Sequence, residues 1–194
     1  MAITSAELVK SYTGASSNAG AQTDPDACLG DYRSSTTVPA GDNNLFADIT
    51  GDQALSGYTD YRCFVFQNTD AALSLTSAKV YISADDSNAD TTYYLCLERP
   101  QSSLTVGNAQ VIGNVTTAPD LTNSTYHTSG SFTVSTSCST YATGLVVGPL
   151  NSTGTTALAP NELIYVWVKR VISASATAAA ALSFTVTLKG DTAA

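Results

Sequence analysis

The chain has 194 residues, enough for one sizeable β domain or for a smaller domain with an extension. Apolar residues make up 43%, so a core can form, whereas charged residues reach only 12%, about half the usual share. The net charge of −8, with no basic run anywhere, excludes nucleic acid as a partner, because phosphate binding needs clustered Lys and Arg.

The first residues, Met1-Ala-Ile-Thr-Ser-Ala-Glu-Leu-Val-Lys, lack the basic start and apolar core of a signal peptide, so the expectation is a protein made and folded in a cytosol. Residues 1 to about 50 hold few apolar residues, and Pro25 and Pro39 interrupt them. Apart from a short helix or strand near Ala6 to Tyr12, residues 1–43 read as an extended N-terminal arm that packs on a partner. Leu8, Val9, Tyr12, Leu29 and Tyr32 are its spaced anchors for partner binding. On this reading the rest, residues 44–194, is a separate domain that would survive removal of everything before about Val38.

In Tyr61 to Asn68 both faces are apolar, Cys63 and Val65 on one and Phe64 and Phe66 on the other, which describes a strand buried on both sides. Asn68-Thr-Asp-Ala-Ala suits a hairpin or a sheet-to-sheet crossover. From Leu73 the alternation slips at Ser77 before resuming at Ala78, Val80 and Ile82, the mark of a bulge. Asp85 to Asp90 is a polar turn, Thr92 to Leu97 a third strand, and Pro100 its end. Short strands near 104–106, 111–115 and 131–135 punctuate the Thr/Asn/Ser-rich stretch from Gln101 to Thr143, and Gly144-Leu-Val-Val-Gly-Pro-Leu is a strand or a turn into one. Leu163-Ile-Tyr-Val-Trp-Val-Lys-Arg-Val-Ile reads as a central strand, and Leu182, Phe184, Val186 and Leu188 as the inner face of a half-buried one. The Ala-rich run from Ala174 to Ala181 is too short to span a bilayer, so no membrane partner is expected.

Short strands separated by turns, without a long helix, indicate an all-β antiparallel β-sandwich, Ig-like or jelly-roll-like, spanning about Asn44 to Lys189. Phe64, Phe66, Val80, Leu95, Val166, Trp167, Phe184 and Val186 are its expected core.

The chemistry-bearing residues are few. Cys28, Cys63, Cys96 and Cys138 are widely spread, without a CxxC pair, and His127 is the only histidine, so no zinc set is apparent. The cysteines read as small buried hydrophobes, with disulfide pairing as the alternative that a reducing cytosol disfavours. No Gly-x-Ser-x-Gly elbow accompanies His127, and Asp85, Asp86 and Asp90 lack the spacing of a calcium loop, so they read as a solvated turn. Asn114, Asn123 and Asn151 begin glycosylation-type tripeptides that a chain rich in Asn and Thr produces by chance. Tyr58, Tyr61, Tyr93, Tyr94, Tyr141 and Tyr165 could stack on a sugar, but read better as core-edge residues. No catalytic residue, cofactor or metal is expected.

Asn43-Asn-Leu-Phe-Ala-Asp-Ile-Thr-Gly-Asp, Asp60-Tyr-Arg-Cys-Phe-Val-Phe-Gln-Asn and Val166-Trp-Val-Lys-Arg resemble motifs of a group of tailed-bacteriophage virion proteins. That group carries an NLF-D-[VI]-[ST]-G loop, an EYRC strand, a strand near KVWIS and a late VWVRR strand. Asp60 stands here for the Glu of the second motif and Tyr81 for the Trp of the third. The match runs in order along the chain as short islands, and Gln101 to Thr143 falls outside it. The resemblance implies a non-enzymatic virion structural protein, assembled in the bacterial host cytoplasm, and leaves head and tail both open. The expected role is a capsid decoration (cement) protein that binds the major capsid protein lattice, or another virion protein, as a homo-oligomer with a trimer among the options. A tail or baseplate component is the alternative, and a carbohydrate-binding adhesin module the reading from a different class.

Overall fold

A computed structural model of the protein describes residues 2–41, 43–86, 88–98, 108–123, 125–126, 130–147, 156–177 and 183–192. The strand expected at 104–106, Pro100, His127, Asn151 and Leu182 lie outside them.

The axis of the fold is the antiparallel pair of β3 (Tyr58–Asn68) and β9 (Leu163–Ile172), in register from Tyr58 opposite Ile172 to Gln67 opposite Leu163. β1 (Leu8–Tyr12) pairs on the outer side of β3, β5 (Thr91–Leu97) on the far side of β9, and β7 (Thr133–Val134) beyond β5. This gives a five-stranded antiparallel sheet of order β1-β3-β9-β5-β7. A second sheet has β4 (Leu75–Asp85) between β10 (Phe184–Thr192) and β8 (Leu145–Val146). β2 (Asp31–Tyr32) and β6 (Asn108–Ala109) form a small third pair. One α-helix, α1 (Gly51–Ser56), and short 3₁₀ turns are the helical content of the described residues, so the protein is nearly all-β, as its sequence indicates.

Alternation along the strands decides what packs where. Phe64, Phe66, Leu95, Ile164, Val166 and Val168 point from the five-stranded sheet toward Val80, Ile82 and Leu188 of the second sheet, which is the expected sandwich core. Phe184 and Val186 are only half-buried at its margin. The opposite face carries Cys63, Val65, Cys96, Tyr165 and Trp167, so Trp167 belongs to a second core. Ala109 and Ile112, with the flanks of Leu29, Leu121 and Phe132, cover that face. The central strands are thus buried on both sides, and the sandwich has a third layer made of loops and the β2/β6 pair.

The connection after β3 carries the chain to the second sheet, the crossover rather than the hairpin of the two expected options. Asn68 and Asp70 shape it: the Asp70 Oδ1 accepts from the N–H groups of Ala72 and Leu73, both at 2.7 Å. The slip at Ser77 is a real irregularity. Ser77 sits at φ 50°, and the β4/β10 pairing jumps between Lys189 and Asp191. Gly190 fills this gap, where a Cβ would come within 2.5 Å of the Thr76 carbonyl oxygen. Val111 to Val115, expected as a strand, is a loop whose Ile112 is buried.

The described residues of the N-terminal segment, 2–41 and 43, do not stand free as an arm. β1 extends the same sheet as β3, and the returning segment runs along its outer edge, with Tyr12 N–H bonding Thr36 C=O and Val38 N–H bonding Lys10 C=O. The Cys63 N–H donates to the Cys28 carbonyl at 2.8 Å, and Tyr12, Ala15 and Cys28 are buried. The physical reason lies in β3 itself. Its second apolar face and its free edge both need cover, and the N-terminal segment supplies part of each. No boundary separates it from the rest of the fold near residue 43.

Deletion of residues before Val38 should therefore uncover the edge of β3 and the Cys63/Val65 face. The truncated chain is expected to lose cooperative denaturant unfolding or to aggregate. A soluble truncated protein with an unchanged denaturation midpoint would show that this segment contributes no stability.

Candidate functional site

One end of the sandwich core holds charge instead of apolar side chains. On β3, Asp60 and Arg62 follow the inward parity of Phe64, and on β9 Arg170 follows that of Val168. Asp60 lies directly opposite Arg170 in register. The Arg170 guanidinium is bidentate on it, Nε donating to Oδ1 at 3.0 Å and Nη2 to Oδ2 at 2.8 Å. Asp60, Arg62 and Arg170 are 1%, 2% and 7% exposed, so this is an interior ion cluster rather than a surface pair.

The loop before α1 closes over the cluster. Arg170 Nη1 donates to the Ala47 carbonyl at 3.0 Å, and the buried Phe46 ring lies 4.6 Å from the Arg170 guanidinium carbon and 5.4 Å from that of Arg62. Phe46 also meets Tyr93 and Phe184 at centroid distances of 6.3 and 6.0 Å. A guanidinium over an aromatic face is stabilised by the ring quadrupole, more so when desolvated. α1 is fixed by a reciprocal cap in which Gln53 N–H bonds Thr50 Oγ1 and Thr50 N–H bonds the Gln53 side chain. Arg62 completes the arrangement: Nη1 bonds the Tyr61 carbonyl and lies 3.7 Å from Asp60, and Nη2 pairs with Asp26 of the N-terminal segment. Its Nε has no hydrogen-bond partner among the described residues. A cleft of about 330 Å³ opens above the cluster, with Asp26, Asp48, Thr50, Gln53 and Tyr58 around it.

Three segments distant in sequence meet here: Asn43–Asp52 supplies Phe46, the Ala47 carbonyl and Thr50, Asp60–Asn68 supplies Asp60 and Arg62, and Val166–Arg170 supplies Arg170. Each guanidinium is already held by a carboxylate, so the arrangement can tie the 43–50 loop and the N-terminal segment to the sheet.

The five expected anchors of the arm are not brought together. Tyr12 is buried; Leu8, Val9, Leu29 and Tyr32 are half-buried, Leu8 against the sandwich core and Leu29 against the second core. Among the candidate sugar-stacking tyrosines, Tyr93 and Tyr165 are buried. Tyr61 packs on Phe132, Tyr94 lies under the Lys169 ammonium at 4.6 Å, and Tyr141 meets the ammonium groups of Lys79 and Lys189. Asp86 accepts from Ser183, and Asp90 from the Thr177 N–H and hydroxyl, which ties the strand ends together. Among the described residues no group of three or more His, Cys, Asp or Glu could hold a metal. Asn114 and Asn123 accept hydrogen bonds from residues two further on, as in Asx turns. All four cysteines are buried thiols outside any disulfide, as small hydrophobes would be, and burial pushes the thiols up, Cys28 to about 11 and Cys96 to about 12. No described helix is long and apolar enough to cross a membrane. Comparison with protein-family models, curated proteins and solved structures returned no match.

Removing one member of a buried ion pair strands its partner, so Asp60→Ala or Arg170→Ala should each cost about 3–5 kcal/mol. A double-mutant cycle should show strong coupling, the double variant losing far less than the sum. Additive losses in denaturant unfolding would dissolve the lock. The native protein should also leave its four thiols unreactive toward an aromatic disulfide reagent until it unfolds, because thiolate is scarce and access is closed. Rapid labelling of the folded chain would contradict the buried placement.

Proposed function

We propose that this protein is a non-enzymatic structural component of a tailed-bacteriophage particle, most specifically a capsid decoration protein that attaches to the major capsid protein lattice. The observation that carries the reading is the convergence of the resembling islands on one interior lock. The residues through which this chain resembles virion proteins do an architectural job, holding a loop and the N-terminal segment to a β-sandwich. The sparse charge on the chain supports attachment through shape and polar contacts, with host-cytoplasm assembly as a homo-oligomer or beside another virion protein. With Tyr12 buried and Leu8 and Leu29 packed against the two cores, the contact surface falls to the outer strands and loops. The placement of the tyrosines gives the adhesin alternative little support.

The test is to quantify the chain in purified particles by mass spectrometry against the major capsid subunit. A copy number that follows the capsid lattice is expected, and a few tens of copies would assign the chain to the tail or baseplate. With little charge for salt to screen, raising ionic strength several-fold should weaken attachment only modestly. Release by moderate salt alone, or absence from particles, would overturn the proposal.

A further inference from the structure

A second buried acid lies on the other face of the central sheet. Glu98 follows the last residue of β5 and is fully buried between that sheet and the outer loop layer. Its carboxyl accepts from the Trp167 indole N–H at 2.6 Å and from the Gln110 N–H at 3.1 and 3.3 Å. Gln110 passes the connection outward: its side chain donates to the Asp120 carbonyl at 3.2 Å and accepts from the Asp120 N–H at 2.6 Å. One residue pair along, Ile112 N–H bonds the Leu29 carbonyl. The fit is close, since Gly30 adopts φ +97°, and a Cβ there would lie 1.7 Å from the Gln110 carbonyl oxygen and 3.3 Å from the Trp167 ring. Glu98 is thus a polar pin from the apolar sheet face to the 108–123 segment.

The titratable groups around it are Cys63 from β3, Cys96 from β5, Tyr165 from β9, and Tyr126 in the turn that follows the 108–123 segment. Asp31 of β2 acts on the same Tyr126, and Arg33 acts on Tyr165. Arg99, next in sequence, lies outside the described residues. None of the described groups that act on Glu98 is a cation. We propose that Glu98 is a proton-operated latch, which holds the outer loop layer against the central sheet while protonated and loosens it on ionising, because the charge would be sealed between the layers with only the Trp167 and Gln110 N–H groups to replace its hydration. Burial is the main cause that pushes its carboxyl up, to about 8, with the Trp167 and Gln110 donors pulling the other way. Between the ordinary glutamate range and about 8, the folded chain holds a proton that the unfolded chain has released. Stability contributed by this group therefore falls as pH rises through that window and levels off above it.

Trp167 is the only tryptophan in the chain, so its fluorescence reads the carboxyl directly. The full-length protein should show a fluorescence transition centred near pH 8, which Glu98→Gln abolishes. In the same range, exchange of the Gln110 and Ile112 amides should accelerate beyond its intrinsic base-catalysed rise, while amides of the β3/β9 pair keep their protection. Should the variant fail to fold, the side-chain carboxyl carbon resonance of Glu98 in the wild-type protein decides. A midpoint in the ordinary glutamate range, a transition that persists in Glu98→Gln, or uniform exchange across both layers would each overturn the latch.

Discussion

Everything in this fold answers to the two-sided apolarity of the β3/β9 pair. Cys63, Val65, Tyr165 and Trp167 face one way and Phe64, Phe66, Val166 and Val168 the other, all buried. The second sheet can cover only one of these faces. Leaving the other in water would forgo about 1.5–3 kcal/mol for each large side chain. Among the described residues there is no third set of long strands, and that face is covered by the N-terminal segment around Cys28 and Leu29 and by the stretch through Ala109 and Ile112. The folded-back N-terminus, the close approach at Gly30 and the buried Glu98 follow from that demand.

The long strands were legible because each repeats its pattern over seven or more residues. β3, β5, β9, β10 and even the Ser77 irregularity in β4 lie where alternation and its slip place them. The outer layer was not legible. Its covering residues, Cys28, Leu29, Ala109 and Ile112, come singly from polar stretches, and a lone apolar residue carries no period. The sequence nevertheless held the warning. A strand buried on both sides needs two covers, and a two-layer sandwich provides one. Residues 1–43 read as an arm by composition, which carries no trace of the uncovered face they help to complete.

The ion cluster was legible only in hindsight. Asp60 and Arg170 stand 110 residues apart, and no spacing rule joins them. Asp60, Arg62 and Arg170 are, however, charges with inward parity at the ends of apolar strands, and a buried charge must find a partner. What sequence could not supply was the register that sets Asp60 opposite Arg170, or the loop that lays Phe46 over the guanidinium.

The same accounting bears on how the surface meets a partner. The chain has eight Lys and Arg against sixteen Asp and Glu. Arg62 and Arg170 are buried in the cluster, and Lys79, Lys169 and Lys189 are drawn over Tyr141, Tyr94 and Phe132. The cations are largely engaged within the molecule, while acids such as Asp26 and Asp52 stay exposed, so the outward field is acidic. Two copies of such a surface repel at low ionic strength, and salt that screens the repulsion favours their association. A basic partner surface is attracted instead, and salt weakens that contact. The sign of the response to salt thus distinguishes self-assembly from docking on a basic partner, while its size reports how much charge either contact engages.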